Sequence, residues 1–100
     1  MKTIFFKKEF LKDIDKGNKT QTIRKKSIYK KDDICSINFN SKNRIKILEV
    51  YKKSLGDITH KEAKQDGFKG IQDLFNKLIE IYPEIDLTDE FYVIKFEKAR

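Results

Sequence analysis

A segment near the start of the chain, residues 17–24 (Gly-Asn-Lys-Thr-Gln-Thr-Ile-Arg), most constrains how the chain can fold. It begins with a glycine suited to a turn and continues as a strand in which only Ile23 is apolar. A half-buried strand usually alternates apolar and polar residues. In a small domain, so polar a strand indicates either an exposed edge rich in threonine or the lining of a functional site. Both interpretations stay open at this point.

The length and composition favour one small domain over residues 1–100. Cys35 is the only cysteine and His60 the only histidine, which excludes an internal disulfide and a cysteine-based zinc site and argues against a histidine-dependent triad. We expect Cys35 to lie in the core. We also expect no metal or cofactor. The sequence shows neither a membrane-length apolar segment nor a signal-peptide pattern, so we expect a cytoplasmic protein without a membrane partner. We also expect a monomer.

The net charge of +7 is concentrated at one end of the chain. Residues 1–31 contain 11 basic and 3 acidic residues, a balance of +8, and the remainder has a balance of −1. Such a basic segment attracts polyanions such as RNA. However, 20 of the 23 basic residues are lysines in a chain also rich in Ile and Asn, and solvated lysines explain most of the excess. We therefore expect only weak, salt-sensitive association with RNA.

The apolar pattern predicts an α+β fold. Helix signals cover residues 7–16, ending at Gly17, a short segment that begins with the capping box Thr59–Glu62 and stops at Gly67, and a stripe at positions 71, 74, 75, 78 and 79. Strand signals cover residues 3–6, 20–24, 34–39, 44–51 and 90–96. Five short strands with helices between them favour a small closed or nearly closed β-barrel.

Three blocks of the chain stand out by their residues and order. They are Gly17-x-Lys19-Thr20-x-Thr22-Ile23-Arg24, then Asp57-Ile58-Thr59 with Ala63-x-x-Asp66-Gly67-Phe68, and then Phe91-Tyr92-Val93-Ile94-x-Phe96. Together these blocks resemble the ASCH domain family, and the match spans nearly the whole sequence. More narrowly, the chain resembles the small bacterial N(4)-acetylcytidine amidohydrolases, in which Ile81-Tyr82-Pro83 and residues 91–94 also recur. The resemblance implies a PUA-like β-barrel with helices packed around it.

The same resemblance implies hydrolysis of N(4)-acetylcytidine, and of related N4-acylated cytosine nucleosides, to cytidine and acetate. Lys19 matches the proton acceptor of those enzymes and Thr22 their nucleophile. Asp66 occupies the position of the proton donor, which is a glutamate there, so its side chain is one methylene shorter. Glu62, one helical turn earlier on the same face, is the alternative acid. We expect the substrate to be bound by three neighbours of the catalytic pair, Thr20, Gln21 and Arg24.

The implied reaction requires particular protonation states and positions of Lys19, Thr22 and Asp66. A threonine hydroxyl needs an adjacent base, and lysine is a base only when burial or a nearby positive charge such as Arg24 lowers its pKa. Because alternate residues of a strand face opposite sides, Lys19 must lie in the turn after Gly17 to act with Thr22. Asp66 needs a raised pKa, whereas a helix-end carboxylate is ordinarily solvated.

Two other functions fit the same pattern. PUA-like barrels often bind RNA, so the chain is alternatively a non-catalytic RNA-binding module, or a ribonuclease acting on single-stranded RNA. Tyr29 and Tyr51 are the candidate aromatic residues for stacking on bases. A nucleoside hydrolase should tolerate moderate salt, whereas an RNA-binding protein should lose affinity steeply as salt increases.

Overall fold

The computed structural model describes residues 1–99, which form an α+β fold as predicted. The helices are α1 (Lys8–Asp15), α2 (His60–Gln65) and α3 (Ile71–Ile81), and a single 3-10 turn covers Leu55–Asp57. The strands are β1 (Lys2–Ile4), β2 (Gln21–Arg24), β3 (Ile34–Ile37), β4 (Asn40–Ser54) and β5 (Glu90–Ala99). Each predicted element is therefore present, with boundaries that differ by a few residues.

The five strands form one mixed sheet in the order β1-β3-β4-β5-β2. β1 runs parallel to β3, and the other neighbours are antiparallel. Within residues 1–99 the outer strands β1 and β2 do not pair with each other, so strand pairing does not close the expected barrel. β1 has three residues and β2 four, and α1 lies between them along the chain. A side chain crosses this gap instead, since Arg24 Nη2 on β2 donates to the carbonyl of Phe5 just after β1.

β5 separates two hydrophobic clusters. Ile94 and Phe96 belong to the first cluster, which includes Ile14 of α1. Phe91 and Val93 point the other way into the second, which includes Leu74 and Leu78 of α3. Cys35 is fully buried in the first cluster, as predicted.

The helix ends follow local sequence signals. At α2, Thr59 Oγ1 accepts from the Glu62 backbone N–H at 3.1 Å and Glu62 Oε1 accepts from the Thr59 backbone N–H at 2.9 Å, which confirms the capping box. Gly17 and Gly67 follow α1 and α2 with φ of 77° and 96°, conformations that glycine adopts without steric cost. None of the helices described within residues 1–99 is long and apolar enough to cross a membrane.

Candidate active site

A cavity of about 230 Å³ opens beside the gap between β1 and β2. At roughly 30 Å³ per water molecule, this volume holds about eight waters. Residues from the segment after β1, from α1, from β2, from the segment after α2 and from α3 line it. Five of the lining residues are aromatic: Phe5, Phe6, Phe10, Phe68 and Tyr82. The cavity at the unclosed edge of the sheet is therefore walled in large part by aromatic rings.

Lys19 lies outside β2, in the turn after Gly17, as the alternation argument required. Its backbone N–H donates to the carbonyl of Asp13 at 3.1 Å, which fixes the turn against α1. The side chain is only 3% exposed. Nζ lies 4.6 Å from the centroid of the Phe10 ring, and it donates to the backbone carbonyl of Asp66 at 2.6 Å and also to the Asp66 carboxylate.

Asp66 is the C-cap residue of α2, and its carboxyl group is buried rather than solvated. The residue is 4% exposed, and one carboxylate oxygen, Oδ2, has no hydrogen-bond partner within residues 1–99. The next residue, Gly67, packs against Lys19, since a Cβ atom added at Gly67 would lie 3.5 Å from the Lys19 Cβ. The end of α2 thus lies directly on the lysine side chain. This close packing explains how the aspartate, although shorter than a glutamate, reaches Lys19.

Burial acts on the two members of this pair in opposite directions. It lowers the pKa of Lys19, although the attraction of Asp66 opposes the shift and Arg24 adds to it. It raises the pKa of Asp66, and here Lys19 opposes the shift. Both shifts favour the neutral forms, a free amine and a protonated carboxyl group, joined by a hydrogen bond. These are the protonation states that a lysine base and an aspartic acid proton donor need.

Thr22 lies on β2 with its side chain in the same cavity, and it is 6% exposed. Arg24 Nε donates to Thr22 Oγ1 at 3.2 Å, so the hydrogen of the hydroxyl group is free to be donated to a base. Arg24 itself packs over Phe6, with 5.0 Å from its guanidinium carbon to the ring centroid. Within residues 1–99 no hydrogen bond joins Thr22 to Lys19, although both line the cavity. Catalytic contacts are often long before substrate binds.

Gln21 and Thr20, two of the expected substrate-binding residues, are not among the described residues that line the cavity. Gln21 is 1% exposed and faces away from Thr22, with Nε2 donating to the Glu62 carbonyl at 3.1 Å. The backbone of Thr20 donates to the carbonyl of Gln65 at 2.7 Å. Both residues thus attach the start of β2 to α2, and of the three only Arg24 lines the cavity.

Glu62, the alternative acid, is part of the structure that supports the site. Its carboxylate accepts hydrogen bonds from Lys53 Nζ and from the Tyr51 hydroxyl, both at 2.6 Å, and from Thr59. Burial alone would raise its pKa, but these hydrogen bonds lower the pKa of Glu62 to about 2. A carboxylate held ionised in this way has no proton to donate, so Asp66 is the better candidate acid.

The fold of this chain matches solved protein structures, whereas its sequence matches neither a family model nor a curated protein. The hypothetical protein PH0355 has a TM-score of 0.79 at 20% identity, over 99% of this chain and 100% of that one. Protein EF3133 from Enterococcus faecalis V583 has a TM-score of 0.75 at 12% identity, over 99% of this chain and 80% of that one. An ASCH domain from Lactobacillus crispatus JV V101 has a TM-score of 0.67 at 13% identity, over 87% of this chain and 68% of that one.

The chain has the fold of an ASCH domain. Within this ASCH fold, the residues that sequence reasoning missed are the aromatic walls of the cavity. The two tyrosines proposed for stacking, Tyr29 and Tyr51, are not among the described residues that line the cavity. The Tyr29 hydroxyl donates to the Thr3 carbonyl at 2.7 Å, and the Tyr51 hydroxyl donates to Glu62. A signal was nevertheless available, since two of the lining rings, Phe68 and Tyr82, fall inside the sequence blocks that resemble the family.

Replacing Glu62 with glutamine is expected to remove part of the acid sensitivity of the fold. The pKa of Glu62 is lower in the folded chain than in the unfolded chain, so its stabilisation is present above about pH 4.5 and is lost as the pH falls towards 2. That component amounts to at most about 3 kcal/mol. Urea unfolding between pH 2 and 6 measures it, with exposed Glu84→Gln as the matched control. An unchanged pH slope in Glu62→Gln would contradict the structural role of this carboxylate.

Proposed function

We propose that the chain is a metal-independent amidohydrolase that converts N(4)-acetylcytidine, and related N4-acylated cytosine nucleosides, to cytidine and the corresponding acid. The observation that carries this proposal is the buried Lys19–Asp66 pair, which shares one cavity with the Thr22 hydroxyl. The resemblance of residues 17–24 and 63–68 to the small amidohydrolases supports it independently. The ASCH fold is compatible with it.

The cavity suits an acylated base. Aromatic rings on several sides favour a planar heterocycle, since stacking on such rings is worth about 1–3 kcal/mol per base. Phe5 is 53% exposed and marks the mouth, whereas Lys19 and Asp66 are almost wholly buried. An N4-acyl group projecting from the base would therefore reach the buried pair while the ribose stays near the mouth.

Acylation of Thr22 is the first half of the proposed reaction. Neutral Lys19 takes the proton of the Thr22 hydroxyl, and Oγ1 forms a bond to the acetyl carbonyl carbon. The guanidinium of Arg24, which already donates to Oγ1, is placed to stabilise the negative charge that develops on the carbonyl oxygen. The carbon–nitrogen bond then breaks, and protonated Asp66 gives its proton to the departing exocyclic nitrogen. Cytidine leaves, Thr22 carries the acetyl group, and the pair is now a lysinium and a carboxylate.

Deacylation returns the pair to its starting state. The Asp66 carboxylate takes a proton from a water molecule, whose oxygen attacks the ester carbon. The threonine oxygen departs and takes the proton held by Lys19. Acetic acid leaves and ionises in solution. The Lys19–Asp66 pair thus alternates between a neutral form and an ionised form that differ only in where the protons lie. This fits the pKa shifts of the two residues, because burial favours the neutral form of each and its partner opposes that shift.

The burial of Lys19 and Asp66 also argues against the two alternative functions, a ribonuclease and a non-catalytic RNA-binding module. A ribonuclease would have to bring a backbone phosphate to Lys19, which is 3% exposed at the base of the cavity. A binding module without catalysis would gain little from it, since a buried pair of ionisable side chains is often no more stabilising than apolar residues of similar volume. Both considerations support a reaction on a small group that projects from a base.

Purified protein is expected to release cytidine from free N(4)-acetylcytidine, as measured by chromatography of a timed reaction. The rate should change little between low and moderate salt, because one small uncharged nucleoside displaces few counterions. It should also survive exhaustive EDTA treatment. N-acetyl-lysine, a smaller acetamide without the planar base, serves as the control substrate. Failure to release cytidine, or cytidine release that EDTA abolishes and zinc restores, would contradict the proposal.

A further inference from the structure

An exposed pair of aromatic side chains, Phe5 and Phe39, stands at the rim of the cavity. Phe39 is 76% exposed and Phe5 is 53% exposed. Their ring centroids are 5.0 Å apart at an interplanar angle of 77°, an edge-to-face contact. Because Phe5 also lines the cavity, this aromatic pair continues the wall of the cavity outwards onto the surface.

Phe39 occupies a backbone position that favours glycine. Asn38 and Phe39 form the two-residue turn between β3 and β4, with φ of 51° and 63°. Positive φ at both positions is the pattern of a type I′ hairpin, for which asparagine followed by glycine is preferred. A bulky residue in this conformation is unusual, and here its ring is also left in solvent. Neither the turn nor the core gains from a phenylalanine at this position, which points to a role outside folding.

The turn is fixed to the rim of the cavity. The Asn38 backbone N–H donates to the Ile4 carbonyl at 3.0 Å. Its side-chain amide donates to the Phe6 carbonyl at 3.0 Å and accepts from the Phe6 N–H at 2.9 Å. Phe5, between these two residues, has its carbonyl held by Arg24. The aromatic pair is therefore held in a defined position relative to β2 and the candidate catalytic residues.

The surroundings of the pair carry positive charge. The segment that contains Phe5 has a balance of +8 over residues 1–31. Lys7, two residues after Phe5, lines the cavity, and Arg24 contacts the Phe5 carbonyl. An exposed aromatic ring beside a cationic rim is the combination that binds single-stranded nucleic acid, in which bases stack on the rings and phosphates lie near the lysines.

We propose that the Phe5–Phe39 pair is a second stacking site, which takes the base adjacent to the one in the cavity. The ligand is then a single-stranded oligoribonucleotide in which the target cytosine enters the cavity and its neighbour stacks on Phe39. The identity of the base in the cavity rests on the proposed function, whereas stacking on Phe39 does not depend on the chemistry.

Phe39→Gly tests the proposal because glycine suits the turn and removes only the ring. The probe is a fluorescein-labelled, unacetylated tetraribonucleotide, with affinity measured by fluorescence anisotropy at fixed low salt. Phe39→Gly is expected to weaken its binding about 5- to 150-fold, the range for loss of one stacked base, without lowering the melting temperature. Phe39→Tyr keeps a ring and should bind as wild type does. Leu87→Ser, which removes an exposed apolar side chain outside the cavity lining, is the matched control and should also bind normally.

The possible outcomes separate this proposal from the proposed function. If the wild type releases no cytidine from the acetylated nucleoside but Phe39→Gly still weakens oligonucleotide binding, the stacking site stands and the deacetylase fails. If nucleoside turnover is present but the wild type does not bind the tetranucleotide, or Phe39→Gly binds it equally well, the stacking site is wrong. A change from dimer to monomer in Phe39→Gly, with unchanged oligonucleotide affinity, would assign the pair to a protein interface and overturn the proposal.

Discussion

Replacement of Thr22 by valine is expected to slow cytidine release from N(4)-acetylcytidine by about ten-thousandfold or more, since loss of a catalytic nucleophile typically has effects of this size. Valine keeps the shape of threonine and removes only the hydroxyl that would carry the acetyl group. Thr22→Ser retains a hydroxyl and should keep much of the activity. Initial rates measured by chromatography, with melting temperatures to verify folding, give the comparison.

The same rate measurement tests the proposed role of Lys19 as the base. Lys19→Met should cause a loss comparable to that of Thr22→Val, because the hydroxyl is a poor nucleophile without its proton acceptor. Residues that act as one unit are not additive, so the double variant should be hardly slower than either single variant. Independent, multiplying losses would mean that Lys19 and Thr22 do not act in the same step.

Breaking the Lys19–Asp66 pair is expected to change stability with opposite pH dependence for the two partners. In Lys19→Met, Asp66 is left buried with a pKa raised in the folded chain, so its stability is greatest below about pH 4 and falls as the pH rises. In Asp66→Asn, Lys19 is left with a lowered pKa, so its stability is greatest above about pH 10 and falls as the pH decreases. Removing one partner of a buried pair typically costs about 3–5 kcal/mol near neutral pH.

Urea unfolding of the two single variants and of Lys19→Met/Asp66→Asn, from pH 4 to 10, measures these slopes. The double variant leaves no ionisable group at these two positions, so it should be more stable at neutral pH than either single variant, with little of their pH dependence. Two single variants whose stabilities change in the same direction with pH, or a double variant that is the least stable of the three, would contradict the coupling of these groups.

Local signals made most of the fold predictable from the sequence. The helix stop at Gly17, the capping box at Thr59 and the apolar stripe of α3 each depend on residues close together in the chain, and each is present in the structure. Barrel closure was not predictable in the same way. It depends on whether β1 and β2 are long enough and close enough to pair, and these short strands instead leave a gap that the Arg24 side chain crosses.

In the candidate site, too, features set by nearby residues were predictable and features set by long-range packing were not. Strand alternation required Lys19 to lie in the turn before β2 if it acts together with Thr22, and Lys19 does precede β2. The burial of Asp66 could not be inferred from its position at a helix end, because it arises from packing of α2 on a residue 47 positions earlier. Gln21 and Thr20 were expected to bind the substrate because they neighbour the catalytic residues, but neither lines the cavity. The Gln21 side chain and the Thr20 backbone instead make hydrogen bonds to α2.

The most direct test of the account is the mass of the protein after rapid mixing with N(4)-acetylcytidine and acid quenching at increasing times. The wild type is expected to gain one acetyl group, located by peptide mass spectrometry at Thr22, as the first equivalent of cytidine appears. Thr22→Val is expected to show neither the acetyl group nor the cytidine. Cytidine release by Thr22→Val at the wild-type rate would contradict the account and assign the attack to water.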